Sequence, residues 1–238
     1  VELFKDPVIM EALGVTLSIA LLSSLIAVVI GTLAAIGINE YKKWPKTLTI
    51  NLTYVPMMNA DIVTGVSMCL LFVAFFNGWG HFSAWFNTLG IFQLPTHLSM
   101  GFGTLLIAHI TFNIPHVILT VAPKLRQLDR NLVDAAKDLG CTWMQAFWKV
   151  ILPEIKPGIV SGALIAFTMS IDDFIISYFT AGTSSTLAMT IYGMTKKRVS
   201  PEINAVSTLL FVTVLALLAI VNIREARQEK LAAAQRAR

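Results

Sequence analysis

The sequence predicts an all-α protein that crosses a membrane several times, and three observations carry that reading. Hydrophobic residues make up 55% of the 238 and charged ones only 13%, with a mean hydropathy of +0.71, which is far from the composition of a soluble domain. The apolar residues gather into five runs, at about 12–38, 48–76, 98–122, 157–181 and 203–223. Each is long enough to cross a hydrocarbon core of about 30 Å as a helix. The Lys and Arg residues are confined to a few loops and the C-terminal tail, so the net charge of +4 suits orientation in a bilayer better than binding to nucleic acid.

The first run exceeds a signal-peptide core in length and lacks a small-residue cleavage pattern, so it is a membrane span. Tyr41-Lys42-Lys43-Trp44-Pro45-Lys46 follows as a short basic loop with interfacial aromatics, expected on the cytoplasmic side. The second run is interrupted by Pro56 and carries Asn59 and Asp61. Residues 77–97 hold no Lys or Arg and read as an external loop with an interfacial helix around 79–89. The third run contains Pro115 and returns the chain to Lys124, Arg126 and Arg130. The fourth carries Asp172-Asp173, and the fifth leads into a basic tail, residues 224–238.

Positive-inside counting gives three basic residues between the first two spans, six in the loop 123–156 and five in the tail. Lys196-Lys197-Arg198 runs against it, on the side the alternation places outside. The layout is a transmembrane domain over 1–223, a cytoplasmic loop over 123–156 inside it, and a cytoplasmic tail. The chain opens on Val1 with a short polar lead, and five spans place that end outside. We expect a further helix before it.

Loop 123–156 contains the longest amphipathic segment. Leu125, Leu128, Leu132, Ala135 or Ala136 and Leu139 recur at three-to-four-residue spacing, which puts them on one helical face. Gly140 suits the left-handed turn that ends a helix, and Thr142 is placed to cap a second one from Trp143 to about Ile151. Pro153 and Pro157 are expected to stop it. A helix, a sharp turn and a helix with apolar residues left over make a docking element; a helix lying on lipid is the plainer alternative.

Candidate chemistry is sparse. Cys69 and Cys141 show no disulfide or metal spacing. His81, His97, His109 and His116 form no ligand set and read as packing or interfacial residues. No Gly-Lys-Ser/Thr loop follows a strand-like run, so no nucleotide site is expected in this chain. Asp61, Asp172 and Asp173 lie inside apolar spans, where an ionised carboxylate is costly unless it faces water or a cation.

Counted from the inner ends of their spans, Asp61 and Asp172 come some 13 or 14 residues in, roughly 20 Å deep at about 1.5 Å per residue. Ser161, Thr168 and Asp172 share one helical stripe; Ser170, Asp173, Ser177 and Thr180 share another about 100° round. One acid of the adjacent pair is therefore expected to face a solute path, with Tyr54 and Phe179 as aromatic company for a cationic solute. The alternative is that these acids cap broken helices or bind a partner.

Asp134-Ala135-Ala136, three residues, Gly140, nine residues, then Val150-x-Leu152-Pro153 closely resembles the EAA loop of permease subunits in binding-protein-dependent ABC importers. The consensus there reads Glu-Ala-Ala, three residues, Gly, nine residues, Ile-x-Leu-Pro; Asp134 and Val150 depart from it while keeping charge or shape. The resemblance implies a type I importer permease bundle and docking of this loop in a groove of an ATP-binding subunit.

Residues 56–63 (PMMNADIV), 167–174 (FTMSIDDF) and 199–205 (VSPEINA) look like segments of spermidine/putrescine permeases. That resemblance covers nearly the whole chain. It implies a six-span subunit in a bacterial cytoplasmic membrane, a second homologous permease, an ATP-binding cassette dimer that holds ATP and Mg, and an external polyamine-binding protein. The permease itself is then a non-catalytic subunit without a cofactor. Two other classes are weighed against it: an ion-driven secondary transporter, and an intramembrane aspartyl protease using Asp61 with Asp172 or Asp173. Neither explains the docking loop, and no Asp sits in a Gly-x-Gly-Asp context.

Overall fold

The computed structural model describes residues 6–88, 95, 97–197 and 201–236, and all regular structure among them is helical. The helices are α1 (Pro7–Asn39), α2 (Lys43–Met58), α3 (Asp61–Asn87), α4 (Phe102–Gln127), α5 (Arg130–Asp138) and α6 (Trp143–Ala146). After a π-helical turn at Phe147–Ile151 come α7 (Leu152–Asp172), α8 (Ile175–Thr180), α9 (Leu187–Lys197) and α10 (Pro201–Arg236).

Four stretches among the described residues are long and apolar enough to cross a membrane: Pro7–Asn39, Asp61–Trp85, Phe102–Gln127 and Trp143–Asp172. A shorter apolar stretch, Val206–Ile220, lies within α10. All five expected spans thus have a helical counterpart, with different limits.

The core is the three-way packing of α1, α4 and α7, built on Ala27, Ala35, Val117, Val121, Ile155 and Ala166. Without a solvent-driven hydrophobic effect between helices in lipid, close approach of small residues does this work. At Gly158 an added Cβ would stand 2.9 Å from the Thr120 carbonyl oxygen, so α7 meets α4 backbone to backbone there. In α4, 56% of the apolar window is buried against 11% in α3, which makes α4 the central helix and leaves α3 facing outward.

The limits differ from the sequence expectation for local reasons. Span α1 starts at Pro7 because proline is pre-set for a first helical turn and Asp6 caps it, accepting from the Val8 amide at 2.9 Å. The stretch 48–76 is two helices. Asn59 is extended (ψ 148°) just after Pro56, so α2 ends and Asp61 becomes the first residue of α3; a continuous depth count through this stretch therefore fails. Helix α2 has 16 residues, too few to span.

The interfacial helix expected at 79–89 is, as far as residue 87, the end of α3; residues 89–94 and 96 lie outside the described set. Helix α4 runs on to Gln127, with Lys124 and Arg126 in its last turn where cations favour the helix dipole. The amphipathic helix accordingly starts at Arg130, and Leu125 belongs to the buried core. Pro153 and Pro157 do not stop a helix but sit in the first turns of α7. The fourth span breaks at Asp173. The tail continues α10 without a break to Arg236.

Candidate functional site

Two features stand out, at opposite ends of α7. At the first, Asp129 caps α5 by accepting from the Asn131 amide at 3.0 Å. Gly140 ends α5 at φ +83°. Its amide donates to the Lys137 carbonyl at 2.8 Å, and the Cys141 amide reaches back to the Ala136 carbonyl at 3.0 Å. These are the two bonds of a Schellman stop. Thr142 and Gln145 then cap α6 reciprocally, the Thr142 amide donating to Gln145 Oε1 at 3.0 Å and the Gln145 amide to Thr142 Oγ1 at 3.4 Å.

The π-turn that follows carries α6 into α7, placing Pro153, which has no amide hydrogen, in the first turn of α7. The rod from Trp143 to Asp172 is 30 residues long, about 45 Å at 1.5 Å per residue.

This segment leaves large apolar groups uncovered. Leu139 is 86% exposed, and Leu132, Trp143, Met144 and Trp148 are each more than half exposed. Trp143 stacks on Phe147 with ring centres 5.8 Å apart, giving the knob a rigid aromatic face. Asp134 and Ala135 lie exposed on α5, Ala136 and Val150 are half-buried, and Leu152 packs against the core. Asp134 and Lys137 pair at 4.0 Å on the surface, a contact that adds little stability.

The second feature is the break between α7 and α8. Asp173 is extended (φ −64°, ψ 118°), and its side chain is only 9% exposed. It caps α8, accepting from the Ile176 amide at 3.3 Å, the Ser177 amide at 2.8 Å and the Ser177 hydroxyl at 3.0 Å. His109 of α4 places Nε2 3.0 Å from Ser177 Oγ and 3.6 Å from Asp173 Oδ2. One turn along α4, Asn113 Nδ2 donates to Ser170 Oγ at 2.8 Å, and Ser170 in turn lies 3.1 Å from Ser23 Oγ of α1.

His, Asp and Ser together invite comparison with a hydrolytic triad, but the geometry excludes it. A single imidazole nitrogen faces both partners, the hydroxyl donates to the carboxylate, and Ser177 and His109 are both buried.

Asp172 behaves differently from its neighbour: it is exposed, and so is Asp61. Asp61 is the first residue of α3, which packs along α8. Helix α3 leans on α8 at Gly65, where a Cβ would stand 2.9 Å from Phe179 Cδ2. Aromatic rings surround the break: Phe174 lies 4.6 Å from Tyr192 and 5.6 Å from Tyr178, and Tyr178 meets Phe179 edge-to-face at 5.5 Å.

Of the sequence-predicted pathway residues, Asp172, Asp173 and Phe179 thus lie at the break, with Asp61 one helical turn before Gly65 on the adjoining α3. Tyr54 is exposed on α2. Thr168 is buried with its hydroxyl turned back to the Leu164 carbonyl at 2.8 Å, and Ser161 is half-buried about 16 Å along α7 from Asp172. Of the second stripe, Ser170, Ser177 and Thr180 are buried in the bundle. Sequence reasoning missed His109 and Asn113 as members of this cluster. Their signal was the i, i+4 spacing of two polar groups on an apolar helix. Tyr178 and Tyr192 were also missed.

A family model described as the binding-protein-dependent transport system inner membrane component matches residues 27–230, from α1 into α10 and across both features. The chain belongs to that family. As a transport-system inner membrane component it is a multi-pass membrane protein and a transport subunit. It is 34% identical to the putrescine transport system permease protein PotI of Escherichia coli K12 over 242 aligned residues, covering 100% of this chain and 80% of the relative. It is also 34% identical to the spermidine/putrescine transport system permease protein PotC of Haemophilus influenzae, covering 92% and 77%.

Among solved structures, an inward-facing MetNI methionine ABC transporter superimposes with a TM-score of 0.68 at 19% identity, covering 93% of this chain and 95% of that one. A bacterial alginate ABC transporter does so at 0.67 and 16% identity, covering 95% and 81%. At such identities the likeness is one of fold, and that fold is the importer-permease bundle expected from the sequence.

Proposed function

We propose that this transport component is one of two permease subunits through which a polyamine enters a bacterial cell, driven by ATP hydrolysis in a docked pair of cassette subunits. The observation that carries the reading is a single unbroken rod with an uncovered apolar knob at one end and an acidic, aromatic-lined helix break at the other. ATP and Mg belong to the partner. The docking segment, the α1–α2 link and the C-terminal end of α10 face the cytoplasm, and an external binding protein delivers the solute on the other side.

Closure of the cassette pair on ATP moves the knob, and the rod carries that displacement to Asp172. Nucleotide thereby favours one of two bundle arrangements through its differential affinity for them. In the pathway, Asp172 and Asp61 supply exposed negative charge for a polyammonium chain, where an intramembrane acid needs water or a cation to face. The rings of Phe174, Tyr178 and Phe179 offer weak cation–π sites, and weak successive sites let a solute leave as readily as it enters.

Leu139→Asp tests the knob. A charge at the most exposed apolar position of the docking turn should reduce co-isolation of the cassette subunit with the detergent-solubilised permease by about tenfold or more, as for a desolvated interface anchor. The spans stay inserted. Undiminished co-isolation would remove the docking surface from the account.

A further inference from the structure

We propose that His109 is a positioning residue for the acidic break: from α4 it fixes the Asp173 cap, and so holds in place the end of α7 from which Asp172 faces the solute path. The inference rests on Asp172 being a pathway carboxylate. The hydroxyl of Ser177 has one hydrogen, which goes to Asp173 Oδ2 at 3.0 Å. His109 Nε2 must therefore carry a hydrogen and donate to Ser177 Oγ at 3.0 Å. The imidazole is buried at 2% exposure and belongs to the central helix, which Asn113 ties to Ser170 of α7 at 2.8 Å one turn away.

Past Asp172 the chain has left the helix, so helical hydrogen bonding no longer dictates where the break points. The cap does. Asp172 is the last residue of α7 and takes its direction from that helix, so pinning Asp173 to the bundle fixes where the exposed end of α7 stands. The observed contrast, Asp173 nearly buried and Asp172 exposed, is the outcome expected of such a pin.

The test uses the complete transporter in proteoliposomes. His109→Phe keeps a ring and loses the donor; His109→Gln keeps an N–H at similar reach. A second readout is the rate at which Asp172→Cys reacts with a cationic thiol reagent, with Cys69 and Cys141 replaced by Ser. His109→Phe should lower maximal uptake on the order of tenfold, the scale of a lost bond in a charged buried network, and change the labelling rate several-fold. His109→Gln should restore both.

A packing role predicts the reverse order, Phe tolerated and Gln harmful, and that order would overturn the proposal. So would unchanged uptake and labelling in His109→Phe. If that variant fails to assemble, Ser177→Ala breaks the same relay, and an unchanged labelling rate there counts equally against it. Normal uptake by Asp172→Asn would instead defeat the pathway reading, while the labelling comparison still decides whether His109 positions residue 172.

Discussion

Gly140→Val should leave the subunit inserted and assembled but separate ATP hydrolysis from transport, with uptake falling by tenfold or more. The cause is backbone conformation, not crowding. Gly140 holds φ at +83° and a Cβ there would meet nothing within 4 Å, so the substitution is free of clashes and still strained. A left-handed residue with a side chain costs roughly 1–2 kcal/mol, more when β-branched. The chain relieves that strain by giving up the two bonds from Gly140 and Cys141 to the end of α5, and α6 then leaves the turn at a different angle.

The knob residues are unaltered, but they no longer form one surface. Gly140→Asn should be the mildest substitution, because asparagine tolerates positive φ, and Gly140→Ala should lie between. Substrate-stimulated ATPase activity and uptake, measured side by side across the three variants, check the order. Full coupling in Gly140→Val would mean that the angle of this turn is irrelevant to transport.

Asp172→Asn should cost the most uptake of any single change at the acidic break, at least tenfold, with assembly and basal ATPase activity preserved. Its carboxylate is exposed at the end of the rod, so neutralising it removes a counter-charge without opening the bundle. Asp61→Asn should act in the same direction but less, because Asp61 lies at the open start of α3 and not at the end of the moving rod.

Asp173→Asn should look different in kind. That carboxylate accepts three hydrogen bonds, and an amide can satisfy them only in part. The loss is then one of stability, about 1–2 kcal/mol for a helix cap, seen as a lower unfolding temperature of the solubilised complex. Equal uptake by wild type, the three single variants and the triple variant would leave no role for the acids.

Much of this was legible in the sequence. Gly140 and Thr142 announced their own geometry, because a left-handed stop and a hydroxyl cap depend on local chain chemistry. The spacing from Asp134 to Pro153 carries a different kind of signal, a resemblance to a docking loop, and docking itself is the proposal that Leu139→Asp tests. The helix breaks were less legible. Pro56 ends α2 two residues later, while Pro153 falls in the first turn of α7, where the missing hydrogen bond costs least, and Pro157 lies inside α7 without ending it.

The separation of Asp172 from Asp173 could not be read from periodicity, because the helix that would define their stripes stops between them. The place of Asp173 depends on Ser177, four residues on in the helix it caps, and on His109, 64 residues back in the chain, which meets it only in the folded bundle. Of the acid readings left open by the sequence, the helix cap is seen at Asp173, while the solute-path reading of Asp172, which is exposed, is the proposal that Asp172→Asn tests.

The most direct measurement of the central claim is uptake of labelled putrescine and spermidine by proteoliposomes containing this subunit, its partner permease, the cassette pair and the binding protein. The account predicts accumulation that requires ATP, stops with vanadate and is lost when the binding protein is omitted. Uptake that persists without ATP, or ATP hydrolysis that responds to some other solute and not to a polyamine, would contradict it.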